Sequence, residues 1–228
     1  MKRPVRVLLV GAAGRMGKTV SDLAKTDPKV DIVAQCDLSD PIEPAMKNCD
    51  VAVDFSHADA VTDICRAALR HHKALVIGTT GHSQEQRRTI EETAQSVPIV
   101  FASNFSVGVN VLFWVTRKGA ELLGADFGAE IVETHHKMKK DAPSGTAKTL
   151  GEILKTTCKM ENEVPIQSIR EGDVVGEHKV IFKGASERLE LTHRAGSREI
   201  FARGALRGAQ WVVGKPAGLY SMQDVLGL

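Results

Sequence analysis

Two adjacent histidines, a lysine and a Pro-Ser-Gly-Thr sequence lie close together in the middle of this 228-residue chain. His135 and His136 precede Lys139, and Ser144-Gly145-Thr146 follows soon after. A histidine can deliver a proton near neutral pH, and a lysine supplies a compact positive charge and, once desolvated, a proton donor. The segment therefore predicts a site that binds an anion and protonates it.

A helix is predicted from Gly145 to Cys158, directly after this basic segment. The first turn of such a helix points its backbone N–H groups, together with the Thr146 hydroxyl, at any carboxylate in front of it. These groups are suited to a substrate that carries two carboxylates. Composition alone equally allows a solvated basic loop, so both interpretations stay open at this point.

A glycine-rich turn near the start of the chain predicts a dinucleotide site. The turn has the sequence Gly11-Ala12-Ala13-Gly14-Arg15-Met16-Gly17 and joins a predicted strand to a predicted helix. Glycines there allow close approach of the backbone to a pyrophosphate at the helix N-terminus. The spacing is GxxGxxG instead of the usual GxGxxG. Asp37 ends the second predicted strand about 20 residues later, where a carboxylate would accept hydrogen bonds from the adenosine ribose.

Two further segments follow predicted strands and lie at the edge of a parallel sheet where ligands bind. They are Gly78-Thr79-Thr80 and Ala102-Ser103-Asn104-Phe105. Their small and amide-bearing residues can hydrogen-bond the nicotinamide half of the cofactor, although ordinary turn chemistry would also explain them. Asp37 should repel a 2′-phosphate, Arg15 could reach one and Leu38 offers no charge, so we expect NADH to serve at least as well as NADPH.

The first hundred residues alternate apolar strands with helical patterns, which predicts right-handed βαβ units and a doubly wound parallel sheet. The predicted strands are Val5–Gly11, Asp31–Asp37, Val51–Ser56, Ala74–Thr80 and Pro98–Asn104. The predicted helices between them are Arg15–Lys25, Ala58–Arg70 and Ser83–Ser96, the last with a capping box from Ser83 to Gln86.

The pattern after Asn104 predicts a second, α+β domain. Its predicted elements are a helix at Val109–Leu123, a strand at Phe127–His136, the helix at Gly145–Cys158, strands near Val174–Phe182 and Arg188–His193, and a helix at Ser197–Val213. The polar stretch 159–177 is expected to be a surface loop. We expect residues 1–105 with 215–228 to form the dinucleotide-binding domain and residues 106–214 to form the substrate-binding and oligomerisation domain.

Composition excludes several other classes of protein. A formal net charge of +2 gives no argument for a nucleic-acid partner. The apolar run at the start is too short for a signal sequence, and no segment approaches the roughly 18 apolar residues that span a membrane. The four cysteines lack zinc spacing, so we expect reduced thiols and no metal site in a cytoplasmic protein.

The residues from Glu133 to Ala147 closely resemble the signature E-x-H-H-x-x-K-x-D-A-P-S-G-T-A of the dihydrodipicolinate reductase family. The resemblance extends over nearly the whole chain. It includes the GxxGRMG turn, Asp54-Phe55-Ser56, GTTG at 78–81, Asn104 to Asn110, and the ending from Gly218 to Leu226. A match of this length makes a merely solvated loop a poor interpretation of the histidine segment.

The resemblance implies roles for individual residues. His135 corresponds to the general acid/base and Lys139 to its partnering proton donor. His136, Gly145 and Thr146 correspond to the substrate-carboxylate site. The cofactor contacts correspond to Gly11 to Met16, Asp37, Gly78 to Thr80 and Ala102 to Phe105. Leu38 stands where some relatives carry a basic residue that helps to hold NADP.

The resemblance further implies reduction of 4-hydroxy-tetrahydrodipicolinate with NADH or NADPH in the diaminopimelate route to lysine. It also implies a homotetramer built through an open mixed sheet of the second domain. Two alternatives remain: another Rossmann-fold NAD(P)-dependent oxidoreductase, and a non-catalytic NAD(H) sensor. Neither has a use for the His-His-x-x-Lys segment before Pro-Ser-Gly-Thr. His193 and Arg194 lie on the last predicted strand, where a core or surface role and contact with the substrate are both compatible with the sequence.

Overall fold

The computed structural model describes residues 3–37 and 39–228. The chain divides into two compact units: one combines residues up to Ser106 with Glu199–Gly227, and the other comprises Val107–Arg198 with Leu228. The expectation about Leu38 falls outside the described residues.

The first unit is built on a six-stranded sheet, as far as the described residues show, and all of its pairings are parallel. Its strands are β1 (Val5–Val10), β2 (Val30–Cys36), β3 (Val51–Asp54), β4 (Ala74–Ile77), β5 (Pro98–Phe101) and β10 (Gly218–Tyr220). They lie in the order β10-β5-β4-β3-β1-β2. Most residues of the central strands are buried, because helices cover the sheet on both sides. The predicted Rossmann-like doubly wound sheet is confirmed.

The connections between these strands contain helices α1 (Arg15–Ala24), α2 (Ile42–Asn48), α3 (Val61–His71) and α4 (Gln84–Ala94), with a short 3-10 helix at Ala58–Ala60. The capping box is present: the Ser83 hydroxyl accepts from the Gln86 N–H, and the Gln86 side chain accepts from the Ser83 N–H. Helix α2 was not predicted from the sequence, since seven residues carry too little periodicity to indicate a helix.

Helix α7 (Glu199–Val212) belongs to the first unit, in contrast to the expectation that the second domain extends to residue 214. Its small buried residues pack into the same core as Val53 and Val76 of the sheet. At Gly204 the backbone comes so close to the Phe105 carbonyl that a Cβ atom would lie 1.8 Å from its oxygen. Helical periodicity predicted the helix but carried no information about which sheet it covers. The short helix α8 (Met222–Leu226) follows β10 in the same unit.

The second unit is built on a mixed four-stranded sheet, which agrees with the open mixed sheet expected from the family resemblance. Its strands are β6 (Gly128–His135), β7 (Ile166–Arg170), β8 (Gly176–Lys183) and β9 (Arg188–Ala195), in the order β7-β6-β8-β9. Strand β7 is parallel to β6, and the other pairings are antiparallel. Helices α5 (Val107–Leu123) and α6 (Gly145–Thr157) pack over one face and bury Ile131, Val180 and Phe182, and a 3-10 helix at Gly124–Asp126 follows α5.

Strand β7 corrects the expectation of a surface loop over 159–177. A strand, helix α6 and a second strand parallel to the first form a βαβ unit, so residues 166–170 are the strand that completes it. Within the part of the chain that the structure describes, no helix has the length and apolarity required to cross a bilayer.

Candidate functional site

The glycine turn lies at the carboxyl end of β1 and leads directly into α1, with Gly14 as the N-cap residue. Gly11 has φ of +80°, and a Cβ atom there would lie 2.5 Å from the Phe55 carbonyl oxygen. At Gly17 a Cβ atom would lie 2.2 Å from the Gly11 carbonyl oxygen. Both positions therefore require glycine, and the turn keeps its backbone against the end of β3. In the same turn Ala12 is buried, Ala13 and Arg15 are exposed, and Met16 is half-buried.

Asp37 follows β2 and contacts the glycine turn directly. Its two carboxylate oxygens lie 3.1 and 3.2 Å from the Ala13 nitrogen, whose N–H donates to them. A second carboxylate, Asp40, accepts from the backbone N–H of Asp37 at 2.8 Å. The predicted ribose-binding carboxylate is thus placed beside the turn that would hold the pyrophosphate.

The other two predicted cofactor segments follow β4 and β5, which are neighbours in the sheet. Gly78, Thr79 and Thr80 begin directly after β4, with Thr79 buried and Thr80 exposed. Residues 102–105 follow β5; Ser103 is exposed and Phe105 is buried against Phe55 at a ring-centroid distance of 6.0 Å. A Cβ atom at Gly78 would collide with the Phe55 ring. Phe55, which directly follows β3, therefore packs against the segments that follow β4 and β5.

These residues share one edge of one sheet, because the carboxyl ends of parallel strands point the same way. The glycine turn at Gly11–Gly17, the start of the ten-residue helix α1 and the carboxylate of Asp37 fit a dinucleotide with its pyrophosphate at the helix N-terminus. The fit rests on the glycine positions, since a side chain at Gly11 would collide with the Phe55 backbone and one at Gly17 with the backbone of the turn itself, and either would displace the turn from the start of α1.

In the second unit His135 is the last residue of β6, and its side chain lies in a buried group of polar residues. Its Nδ1 is hydrogen-bonded to Oε2 of Glu133, two residues earlier on the same face of the strand. Glu133 is completely buried and also accepts two hydrogen bonds from Arg170 of β7, at 3.1 Å from Nη1 and 2.8 Å from Nη2. The Ser144 backbone N–H donates to the same carboxylate at 3.3 Å.

The protonation state of Glu133 follows from these contacts. Burial raises the pKa of its carboxyl group, but hydrogen bonds from Arg170, Ser168 and His135 outweigh burial and bring the pKa down to about 2. An ionised carboxylate can only accept hydrogen bonds. Nδ1 of His135 must therefore carry the hydrogen, and Nε2 is the nitrogen that gains and loses a second proton.

The pKa of His135 lies below its ordinary value because burial disfavours the charged ring, which outweighs the opposing effect of Glu133. His178 on β8 lies edge-on to His135 with ring centroids 5.1 Å apart. Burial lowers the pKa of His178 to about 4, so this second ring is neutral at physiological pH. Its Nε2 lies 3.0 Å from the Ser144 hydroxyl oxygen.

Ser144 links this buried group to the start of α6. It is the N-cap residue, and its hydroxyl accepts from the Ala147 backbone N–H at 3.2 Å. Gly145 begins the helix and is exposed; a Cβ atom there would meet nothing within 4 Å. The 13-residue helix therefore starts at an open surface, with half-buried Thr146 in its first turn.

The loop between β6 and α6 is held by Arg170, the last residue of β7, and by the segment that follows it. The Val174 carbonyl accepts from the His136 N–H at 2.7 Å, and the Asp141 carbonyl accepts from Arg170 Nη2 at 2.6 Å. Lys139 is 22% exposed and pairs with the Asp141 carboxylate at 2.8 Å. The loop thus brings His136 and Lys139 to the end of β6 that carries His135.

Glu133, His135 and His178 have ligand atoms within 4.8 Å of one another, which is also metal-site geometry. The Glu133 carboxylate is already paired on both oxygens with the Arg170 guanidinium, and a divalent cation would have to displace that charge. We interpret the three residues as members of one hydrogen-bonded network, in which Ser144 connects His178 to Glu133.

His193 and Arg194 lie on β9. His193 is opposite His178 in the strand register, and Arg194 pairs with Glu177 of β8. Glu133, Arg170 and His178 are members of the site that the sequence patterns did not indicate. Glu133 was visible within the recognised segment, but Arg170 is 37 residues away from it and only the pairing of β7 with β6 brings the two together.

Comparison with known proteins identifies relatives of the whole chain. The model for the N-terminal domain of dihydrodipicolinate reductase matches residues 5–105, and the model for its C-terminal domain matches residues 108–226. A 4-hydroxy-tetrahydrodipicolinate reductase of Akkermansia muciniphila is 45% identical over 98% of this chain and 98% of its own. The reductase of the same name from Syntrophotalea carbinolica is 39% identical over 98% of this chain and 99% of its own.

Solved structures show the same fold. Dihydrodipicolinate reductase from Paenisporosarcina sp. TG-14, bound to dipicolinate, superposes with a TM-score of 0.80 at 23% identity, covering 97% of this chain and 98% of that one. The C. glutamicum DAP dehydrogenase in complex with DAP gives a TM-score of 0.61 at 14% identity, with coverage of 98% and 94%.

Proposed function

Because this chain belongs to the dihydrodipicolinate reductase family, we propose that it reduces 4-hydroxy-tetrahydrodipicolinate to tetrahydrodipicolinate with NADH or NADPH, in the diaminopimelate route to lysine. The observation that carries the proposal is the buried Glu133–His135 pair at the end of β6, followed by the open start of α6. These features occupy the segment that resembles the family signature.

The first unit supplies the cofactor site. Gly11 to Met16 form the pyrophosphate cradle, Asp37 takes the adenosine ribose, and Gly78 to Thr80 with Ala102 to Phe105 take the nicotinamide half. When bound, the reduced nicotinamide supplies the hydride. The chain's own contribution here is to hold the cofactor at the carboxyl edge of the parallel sheet.

The second unit supplies the substrate site. Gly145 and Thr146 offer the N–H groups of a helix start to one carboxylate, and His136 adds a further donor. Lys139 places a positive charge beside the dianion. The 4-hydroxyl group leaves the substrate as water, which gives the conjugated ring that accepts the hydride. His135 or Lys139 then delivers the proton to the ring carbon that becomes basic once the hydride has been added. His135 releases it from Nε2, since Nδ1 is bound to Glu133.

The test is a coupled assay in which dihydrodipicolinate synthase generates the substrate from aspartate semialdehyde and pyruvate. We expect NADH oxidation, followed by absorbance, to require both precursors together with the synthase. Oxidation with an unrelated hydroxy acid or amino acid, and none in the coupled assay, would indicate another Rossmann-fold oxidoreductase. Tight NADH binding without turnover would indicate a sensor.

The pocket beside Asp37 predicts the cofactor preference. Asp40, Asp59 and Asp63 also line it, and these carboxylates repel a 2′-phosphate. We expect kcat/KM with NADPH not to exceed that with NADH, and Asp37→Asn to shift the ratio toward NADPH. Asp31→Asn is the control, because Asp31 is an exposed carboxylate at the other end of β2. A much larger kcat/KM with NADPH in the unaltered protein contradicts the expectation.

We also propose a homotetramer in the cytoplasm. The second unit supports this, because β9 is an edge strand of its sheet and carries the exposed Leu189. An exposed edge strand offers unpaired backbone groups with which another copy of the chain can pair. The solution mass from light scattering tests the assembly, and four chain masses are expected.

A further inference from the structure

We propose that Glu133 and Arg170 are positioning residues for proton delivery: Arg170 holds the Glu133 carboxylate, and Glu133 holds His135 so that only Nε2 exchanges the proton. The inference rests on the proposed role of His135. It adds two residues that do not touch the reacting atoms and act through the imidazole.

The Glu133 carboxylate is held in one orientation. Arg170 donates to both of its oxygens, and the Ser144 N–H donates to Oε1. Oε2 is also hydrogen-bonded to Nδ1 of His135. A carboxylate fixed on both oxygens fixes the plane of the ring that donates to it.

Arg170 is held in turn by main-chain acceptors. Its Nη1 donates to the Ile169 carbonyl at 2.7 Å and its Nη2 to the Asp141 carbonyl at 2.6 Å. Because Asp141 precedes the α6 start and pairs with Lys139, the same guanidinium ties the imidazole to the loop that carries the second proton donor. Lysine has no planar fork of donors and could not make these contacts together.

Nε2 of His135 is the nitrogen left for chemistry, and the residue beside it is a glycine. A Cβ atom at Gly176 of β8 would lie 3.0 Å from Nε2, tighter than an ordinary contact. The absence of a side chain at this position keeps space next to the nitrogen that Glu133 leaves unbound.

The charged and titratable groups around the His135 ring determine whether a substitution raises or lowers its pKa. They are Glu133 on its own strand, Arg170 on β7, His178 on β8 and Lys139 on the following loop, with His193 on β9 beyond His178. Of these, Glu133 favours the protonated ring, whereas Lys139 and Arg170 disfavour it.

The first test is Glu133→Gln, which keeps the size of the side chain and removes its charge. Protonated His135 is the donor, so kcat/KM is lost as pH rises through the pKa of His135 in the free enzyme. Removing the anion lowers that pKa further, so the decline of kcat/KM on the alkaline side of its pH profile must move to lower pH. Because the ring also loses its fixed orientation, we expect kcat to fall by about 10²-fold while the Kd for NADH is unchanged.

Glu130→Gln is the matched control. Glu130 lies on the same strand, carries the same charge and pairs with Lys183 at 2.7 Å. The Glu130→Gln variant should leave unchanged both kcat and the pH at which kcat/KM declines. Arg170→Gln should lower kcat to an extent similar to Glu133→Gln, and Arg170→Lys should lower it less because the charge is kept.

Nitrogen NMR of the His135 ring tests the idea in the unaltered protein, whatever the variants do to folding. We expect neutral His135 to carry its hydrogen on Nδ1, and in Glu133→Gln a share of it to move to Nε2. A hydrogen on Nε2 of the neutral ring in the unaltered protein overturns the proposal. The proposal is also overturned if a folded Glu133→Gln variant has a normal kcat and a normal pH profile of kcat/KM while His135→Gln is inactive. If His135→Gln is itself active, the proposed function of His135 fails instead.

Discussion

Replacing His135 with glutamine should lower kcat by about 10²–10⁴-fold, the range that a positioned proton donor contributes. Glutamine can still accept or donate a hydrogen bond but cannot carry a proton between pH 5 and 8. The chain would keep its nucleotide site, because the glycine turn and Asp37 belong to the first unit. The Kd for NADH, measured by fluorescence titration, should therefore stay the same.

The control for His135→Gln is His71→Gln. His71 is also a histidine bound to a carboxylate, with its Nε2 at 2.8 Å from Glu43, but it lies on α3 outside the proposed machinery. We expect His71→Gln to retain normal turnover. A His135→Gln enzyme with near-normal kcat would remove His135 from the mechanism.

Lys139→Ala should lower kcat and raise the KM for the substrate together. The loss of an ammonium beside a dianion weakens binding by roughly 10–100-fold, the range for a hydrogen bond to a charged group. The change also leaves the Asp141 carboxylate without its partner, which adds repulsion toward the substrate. Steady-state kinetics with saturating NADH measure both constants.

Lys139→Arg separates the two roles of the lysine. Arginine keeps the positive charge but does not release a proton, so we expect KM to stay near normal while kcat falls. Lys140→Ala is the matched control, since this neighbouring lysine is exposed. Equal losses in Lys139→Ala and Lys140→Ala would mean that the segment contributes only general positive charge.

Much of the first unit could be predicted from the sequence because its signals are local. Continuous apolar strands, the glycine turn and the Ser83 capping box each depend on residues close together in the chain, and the structure contains them. Helix α2 and strand β10 were missed, since both are too short for periodicity to distinguish them from loops.

The identity of the candidate catalytic residues could be predicted from the sequence, but the residues that they contact could not. The sequence placed His135 and Lys139 before a helix start, and the structure has that order. The partners of His135 depend on strand register: Arg170 meets it across β6 and β7, and His178 comes from β8. No local pattern specifies those pairings, and the polarity of residues 159–177 obscured the strand that carries Arg170.

The assignment of α7 to the first unit has a consequence for how the chain is made. A ribosome releases β1 to β5 long before it reaches residues 199–212, which cover one face of that sheet. Until then the side chains of Val53, Val76 and Val100 on that face lack their apolar cover. The contiguous Val107–Arg198 segment is complete earlier, so the unit encoded second is the first able to finish folding during translation.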